Sequence, residues 1–348
     1  MDHTETTGER PEAELIAALD QANFHPVWDR FMDITPAAPN AHDTSCTWRW
    51  QDVEPLTRKA VNEVPMEHAE RRAMIMYNPD FGGATLTTNN MIAAYTMLKP
   101  GDRAPMHRHT FAAIRYATRC EGALTIVNGR RCEMHEGDLV LTPGMCWHGH
   151  INEGDNDTVW FDAADMPLIA GWDANFFEPG EEGNTKEDKI WQVDEGDEKV
   201  WAGGGLSPMD YKYEAPHSPK YRYAGDVTKT TLDEMEPGPG GIKILRYTNP
   251  MTGGAVMRTL DLYKMRLTSS ENSSPRRATY NVICLVTEGQ GSSTVGDKTF
   301  EWSKNDVFTV PHWTWASHKA ISGDAELFLV TDRAAQENLG FVRVENQK

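Results

Sequence analysis

The chain has 348 residues, of which 25% are charged and 39% hydrophobic, a composition typical of soluble globular proteins. Its formal net charge of −18 argues against nucleic acid and anionic membranes as partners, because like charges repel. No apolar run reaches the roughly 18 residues of a membrane helix, and the polar N-terminus shows no targeting signal, so we expect a cytoplasmic protein. The five cysteines form no CxxC pair, which favours reduced, buried thiols over disulfides.

The first residues predict a helix. Residues 11–23 have the pattern of an amphipathic helix, with Pro11 suited to its first position. Residues 24–65 carry Trp, Pro and polar residues without clear periodicity. We therefore predict that residues 1–65 form an N-terminal helix followed by a segment that wraps around another part of the protein.

From about residue 73 the pattern becomes that of an all-β protein. Short runs rich in β-branched and aromatic residues alternate with Gly, Asn, Asp and Pro, which is typical of an antiparallel sandwich or barrel. A glycine-rich, acidic stretch then interrupts this pattern. We predict one β domain over 66–175, a connecting segment over 176–240, and a second β domain over 241–348.

The two β domains repeat one another. The sequence YNPDFGGA at 77–84 is answered by YTNPMTGGA at 247–255, and EGDLVLTPGMCWH at 136–148 by KNDVFTVPHWTWA at 304–316. A third pair of similar segments lies between these two. The offset stays close to 170 residues, which indicates a tandem duplication of one β unit.

Three histidines of the first unit stand at metal-ligand spacing. Alternate residues of a strand point to one face, so His107 and His109 can reach one point in space. His148 follows a Gly-Asp turn and a proline. The segments GDRAPMHRH and EGDLVLTPGMCWHGHIN match the two-part motif of the cupin superfamily. We predict tandem cupin barrels, of the double-stranded β-helix or jelly-roll type, with one divalent metal in the first barrel.

The residues around this triad indicate an open metal site. Most metal cupins add a glutamate on the first strand, and no acid lies between His109 and Glu121. Three neutral imidazoles leave coordination positions for a bidentate anion. Arg115 could pair with a carboxylate at the metal, or could lie on the outer face beside a surface acid. His150 shares a face with His148 and could accept a phenolic proton, or could support a ligand from behind.

Larger motifs resemble a known family. The segments HRHT at 107–110, WHGHINEGD at 147–155 and WFDAADMPL at 160–168 are similar to those of the gentisate 1,2-dioxygenase family. This bicupin family includes ring-cleaving enzymes for salicylate, 1-hydroxy-2-naphthoate and substituted salicylates. The segments WRW at 48–50 and AERRAMIMYNP at 69–79 also resemble its N-terminal region.

This resemblance implies an iron enzyme. Fe(II), one ion per chain, would be held by His107, His109 and His148. A small aromatic carboxylate would chelate it through the carboxylate and the adjacent hydroxyl, with O2 as co-substrate. The bond between the carboxyl-bearing and hydroxyl-bearing carbons would be cleaved.

The resemblance also implies roles for residues outside the triad. Arg115 would hold the substrate carboxylate, and His150 would bond the substrate hydroxyl or the oxygen species. Arg71 matches a second substrate-facing arginine of the family, with Arg72 as the alternative. Asp162 would orient one of the arginines or a ligand histidine.

The second unit has lost the motif. Pro275, Arg276 and Arg277 stand where the paired histidines should be, and Ala316 stands in place of the third. We predict a metal-free structural and oligomerisation domain, and the family implies a homotetramer.

The substrate is left open. Ile92 and Ala94 of the predicted strand 91–98 should line the pocket, where small aliphatic side chains leave room around a ring. Gentisate, salicylate, 5-nitrosalicylate and 1-hydroxy-2-naphthoate all stay as candidates. An oxalate-decarboxylase-like bicupin would need a metal-binding glutamate and usually a second intact site, and both are missing. A non-enzymatic ligand-binding bicupin fits the degenerate second half but not the intact first.

Overall fold

The computed structural model describes residues 12–66, 71–180, 200–201, 206, 209, 215–268, 272–321 and 323–347. The chain divides into two compact units, the first ending at Asn40 and the second beginning at Ala41. No helix in these ranges is long and apolar enough to cross a membrane.

The first unit is helical. Its helix α1 (Ala13–Gln21) lies within the helix predicted over 11–23, although Pro11 falls outside the described residues. A second helix, α2 (Val27–Ile34), was not predicted. Helix formation within residues 24–65 was thus not anticipated from the sequence.

The second unit is built mainly from strands. Its helices are α3 (Trp50–Glu63), α4 (Met166–Ala170), α5 (Gly225–Glu234) and α6 (Arg333–Leu339). Its strands are β1 (Thr47–Trp48), β2 (Arg72–Met76), β3 (Ile92–Leu98), β4 (Arg103–His109), β5 (Ala113–Arg119), β6 (Ala123–Val127), β7 (Arg130–Met134), β8 (Leu139–Thr142), β9 (His148–Asn152), β10 (Thr158–Ala164), β11 (Phe177–Pro179), β12 (Arg222–Tyr223), β13 (Ile242–Arg246), β14 (Asp261–Leu267), β15 (Arg276–Ala278), β16 (Val282–Glu288), β17 (Gln290–Val295), β18 (Lys298–Ser303), β19 (Val307–Val310), β20 (Ala316–Ala320), β21 (Ala325–Thr331) and β22 (Val344–Asn346).

These strands form two β barrels, each made of a six-stranded and a five-stranded antiparallel sheet. The first barrel has the orders β12-β8-β5-β10-β3-β2 and β11-β4-β9-β6-β7. The second has the orders β1-β19-β16-β21-β14-β13 and β18-β17-β20-β15-β22. The all-β architecture of two similar units is thereby confirmed. The domain boundaries at 65, 175 and 240 stay predictions.

A buried aspartate in each half marks the duplication in three dimensions. Asp165 accepts a hydrogen bond from the backbone N–H of Ala112, and Asp332 accepts one from that of Asn281, both at 2.7 Å. Each aspartate directly precedes a short helix, α4 or α6. Its hydrogen bond links that helix to the residue just before β5 or β16. The two halves therefore share this tertiary contact as well as their strand order.

The two six-stranded sheets pack against each other through a common hydrophobic core. Ile114 and Tyr116 of β5 belong to this core, and the ring of Tyr116 stacks on Phe328 of the second barrel with centroids 4.4 Å apart. Because successive side chains of a strand point to opposite faces, Arg115 must point into the first barrel. Its buried position agrees with this geometry and excludes the alternative of an outward-facing arginine.

Each barrel receives its last edge strand from the other half of the chain. Strand β1 pairs with β19 of the second barrel, whereas β12 pairs with β8 of the first. In each barrel, the aspartate of one turn holds the segment that carries this edge strand. In the Gly-Asp turn of the first barrel, Asp138 accepts a hydrogen bond from Arg222 Nε at 2.8 Å. In the Asn-Asp turn of the second barrel, Asp306 accepts one from the backbone N–H of Trp50 at 2.6 Å. Residues 47–50, which precede the first barrel in the chain, thus lie on the second barrel.

Replacing Asp306 tests this anchor. Asp306 is buried and also accepts from the backbone N–H of Ser303 and from Arg49, so Asp306→Ala leaves several donors without an acceptor. We expect a loss of about 2–4 kcal/mol in the free energy of unfolding, measured by urea denaturation. Asp324→Ala, at an exposed position of the same barrel, should change it by less than about 0.5 kcal/mol. Equal effects of the two variants would contradict the anchoring role.

Candidate metal centre

The pairing of β4 with β9 brings the three predicted ligands together. His107 lies directly opposite His148 in this ladder, and His109 lies two residues further along the same face. All three side chains are buried, and one ligand nitrogen from each lies within 4.8 Å of the others. A single ion between the rings can therefore be reached by all three.

A backbone carbonyl fixes the orientation of each ring. The Nδ1 atoms of His107, His109 and His148 lie 2.9, 2.7 and 2.9 Å from the carbonyl oxygens of Pro105, Phe111 and Cys146. In a neutral imidazole such a bond places the proton on Nδ1 and the lone pair on Nε2. This is the tautomer that a metal ligand requires.

The surroundings keep the triad uncharged. Burial, with a further contribution from the Arg71 charge, lowers the pKa of His107 to about 3. Burial also lowers the pKa of His109 to about 3 and acts in the same direction on the pKa of His148. Within the described part of the chain no carboxylate joins this cluster. The donor set fits one divalent ion with open coordination positions.

A cavity of about 270 Å³ adjoins the centre. His109 lies in its wall together with Arg71, Arg115 and Asp162, and most of the remaining wall is aliphatic. The predicted pocket residues Ile92 and Ala94 line this cavity too. All of the substrate residues predicted from the sequence except His150 thus line one cavity beside the triad.

Arg115 is held in place from two sides. Its Nη1 donates to Thr142 Oγ1 at 2.6 Å, and its Nε lies 3.5 Å from Asp162 Oδ1. Asp162 in turn accepts from Trp160 Nε1 at 3.0 Å and from the Thr96 hydroxyl. Of the two partners predicted for Asp162, an arginine or a ligand histidine, the structure shows a contact with the arginine.

The two arginines of the ERR segment have different surroundings. Arg72 is buried, donates to the Val64 carbonyl and forms an ion pair with Asp102. Its guanidinium group is therefore held by these partners at the edge of the barrel. Arg71 instead lines the cavity, and its charge acts on the ligand histidines. Of the two alternatives, only Arg71 faces the site.

His150 occupies the position next to the triad. Its ring centroid lies 5.9 Å from that of His148, and its buried Nε2 meets no hydrogen-bond partner among the described residues. Its Nδ1 lies 2.9 Å from Thr125 Oγ1 on the neighbouring strand β6. His150 is not among the residues lining the cavity, so its contact with substrate stays a prediction. Thr125 could have been found only by knowing which strand pairs with β9.

Comparison with known proteins identifies the family. A family model described as a cupin domain matches residues 94–164. The 5-aminosalicylate 1,2-dioxygenase of a Comamonas species is 36% identical over 93% of this chain and 87% of its own length. Gentisate 1,2 dioxygenase 1 of Aquipseudomonas alcaligenes is 31% identical, with 95% of each chain covered. The chain belongs to the gentisate and salicylate 1,2-dioxygenase family.

A solved structure extends this likeness to the whole fold. Salicylate 1,2-dioxygenase from Pseudoaminobacter salicylatoxidans, solved as an adduct with gentisate, is 31% identical with a TM-score of 0.90. The alignment covers 100% of this chain and 97% of that one. The predicted tandem cupin barrels and the assignment as a ring-cleaving 1,2-dioxygenase are thereby confirmed.

The second barrel of this family member carries no matching triad among the residues that the structure describes. Arg276 lies opposite Ala316 in the ladder between β15 and β20, as His107 lies opposite His148 in the first barrel. The pairing register thus puts Arg276, rather than Pro275, in the place of His107. Within the described ranges the triad of the first barrel is the one group with metal-ligand geometry.

Removing one ligand should abolish metal retention. We expect purified His107→Ala to retain almost no divalent metal after loading and desalting, because two imidazoles hold an ion far more weakly than three. Elemental analysis measures this without recourse to activity. His135→Ala, which removes an exposed histidine of the same barrel, should load like the unaltered protein. Full metal retention by His107→Ala would contradict the assignment.

Proposed function

We propose that the chain is an Fe(II)-dependent dioxygenase that opens the ring of gentisate or a 5-substituted salicylate. Cleavage would fall between the carboxyl-bearing and hydroxyl-bearing carbons, with one iron per chain and O2 as co-substrate. The observation that carries the proposal is a neutral three-histidine centre beside a cavity lined by two arginines.

His107, His109 and His148 would hold the iron. When bound, Fe(II) supplies a route for electrons from an electron-rich ring to O2. Three neutral ligands leave the site positively charged and open, so an anionic chelating substrate is favoured. The backbone carbonyls at Nδ1 keep the rings aimed before the ion arrives, which lowers the reorganisation that binding requires.

The arginines would bind and orient the substrate carboxylate. Arg115 is fixed by Thr142 and Asp162, so its guanidinium presents a preset donor geometry. Arg71 lines the same cavity and adds a second positive charge. Together with the ion, these two arginines would fix the orientation of the ring in the cavity.

His150 would bond the substrate hydroxyl or the oxygen species through its buried Nε2. Burial and the Arg115 charge keep the pKa of His150 well below its usual value, so the ring is neutral. Its Nδ1 contact with Thr125 fixes the ring plane. A neutral ring with one uncommitted nitrogen suits a hydrogen bond to a phenolic oxygen.

The cavity favours a single-ring substrate. Its volume of about 270 Å³ and its aliphatic wall, including Ile92 and Ala94, fit one substituted benzene ring better than a fused pair. Two relatives carry the names of gentisate and 5-aminosalicylate enzymes, and both substrates have an electron-donating group para to the hydroxyl. We therefore place these two substrates ahead of salicylate, 5-nitrosalicylate and 1-hydroxy-2-naphthoate.

The assembly and location of the protein, a homotetramer in the cytoplasm, also stay predictions.

Oxygen uptake tests the activity and the ring preference together. Fe(II)-loaded protein should consume O2 with gentisate or 5-aminosalicylate while the aromatic absorbance of that ring disappears. Salicylate and 5-nitrosalicylate should react more slowly because they lack an electron-donating group para to the hydroxyl. 1-Hydroxy-2-naphthoate should react more slowly because the cavity fits a fused ring pair poorly. No uptake with any of the five rings, despite one iron per chain, would overturn the proposed reaction and leave the metal centre standing.

Replacing Arg71 tests its contact with the carboxylate. We expect Arg71→Gln to raise KM about tenfold or more with little loss of kcat, because the iron and Arg115 still position the ring. Steady-state oxygen uptake at varied substrate concentration separates the two constants. Arg119→Gln, at an exposed arginine beside Glu54, is the matched control and should leave KM unchanged. An unchanged KM in Arg71→Gln would show that Arg71 does not contact the substrate.

A further inference from the structure

The second barrel keeps a cavity where the first barrel has its metal centre. The cavity has a volume of about 420 Å³ and is lined by Arg276, Ala316 and His318 among others. The ladder between β17 and β20 pairs Ser293 with His318, as the ladder between β6 and β9 pairs Thr125 with His150. His318 Nδ1 lies 2.7 Å from Ser293 Oγ, which repeats the contact of the first barrel. The cavity is thus the duplicated copy of the catalytic one.

Arginines line this copy of the cavity, and one of them, Arg276, stands at a metal-ligand position. Four arginines line the cavity, at positions 246, 276, 277 and 333, and no aspartate or glutamate is among its described lining residues. Three of the four form ion pairs with carboxylates outside the lining. Arg276 forms no ion pair with any described residue and donates to the Tyr280 hydroxyl at 2.7 Å. Arg276, an exposed side chain, is thus the arginine of this lining that has no carboxylate partner among the described residues.

A second donor is available in the same wall. The Nε of Arg333 is buried and meets no acceptor among the described residues, although its other nitrogens bond Tyr263 and Glu337. Burying an N–H without an acceptor costs free energy, which an anion bound here would recover. Arg276 and Arg333 therefore both offer donors along the lining of this cavity.

The rest of the wall suits an apolar body. Met265, Val282, Cys284 and Leu329 line the cavity, so a ring entering it would be surrounded by aliphatic and sulfur-containing side chains. An apolar body with one negative group matches this wall of arginines and hydrophobic residues. The volume exceeds the about 270 Å³ of the first-barrel cavity, so a single aromatic ring has room.

We propose that the second barrel binds a small aromatic monocarboxylate without a metal. The carboxylate lies against Arg276 and the Nε of Arg333, where guanidinium groups take over the charge that the iron centre supplies in the first barrel. The ring lies against the aliphatic wall. This second site binds the chemical class that the first barrel would cleave and has, among its described residues, no ligand set for oxygen chemistry. It is therefore a binding site rather than a second active site.

Benzoate is a suitable probe because it carries a carboxylate on an aromatic ring and lacks the adjacent hydroxyl. Isothermal titration of the full-length, Fe(II)-loaded protein under anaerobic conditions gives the number of benzoate sites per chain. We expect Arg276→Gln to have one site fewer than the unaltered protein, or that site weakened about tenfold or more. Arg258→Gln, which removes an exposed arginine outside the cavity, should match the unaltered protein.

A second variant keeps the test decisive if Arg276→Gln folds poorly. Ile244 lines the cavity and is 42% exposed, so Ile244→Glu adds a repelling carboxylate at a tolerant position and should also remove the site. Benzoate binding by both folded variants with unaltered stoichiometry and affinity would overturn the proposal. Neither result depends on the ring-cleaving reaction, because the titration counts bound benzoate and not turnover.

Discussion

The metal centre depends on three backbone carbonyl groups that accept hydrogen bonds from the Nδ1 atoms of His107, His109 and His148. These bonds select one tautomer and one ring orientation for every ligand. Burial, together with the nearby arginine charges, keeps the three rings uncharged, as an ion-binding site requires. In the proposed function the same site would bind the substrate, because a divalent ion with three neutral ligands and two neighbouring arginines would attract a chelating carboxylate.

The packing of the two barrels positions the rest of the site. Tyr116 is buried against Phe328 in the core between the six-stranded sheets, and strand alternation sends its neighbour Arg115 to the opposite face, into the cavity. The exchange of edge strands strengthens this arrangement, because β1 and β12 each complete the barrel of the other half. The second barrel thus supports the site of the first barrel through this packing.

Much of this was accessible from residue patterns, and the failures have physical causes. The alternation of His107 and His109 and the later His148 predict a shared ligand point, because a strand has a fixed period of two. Choosing Arg71 over Arg72 required knowing that Asp102 and the Val64 carbonyl lie beside Arg72. Helix α3 was missed because it contains a proline, whereas the apolar residues of α2 (Val27, Trp28, Phe31 and Met32) recur at helical spacing and could have been recognised. The strand exchange and the Thr125 contact depend on long-range pairing, which local patterns do not encode.

Iron-edge anomalous scattering from crystals of the Fe(II)-loaded protein tests the central claim most directly. The three-histidine centre predicts one strong peak per chain, within bonding distance of Nε2 of His107, His109 and His148. The second barrel, where Arg276 and Ala316 replace two of the ligands, should show no peak. A peak in the second barrel, or iron bound away from the three histidines of the first, would contradict the account.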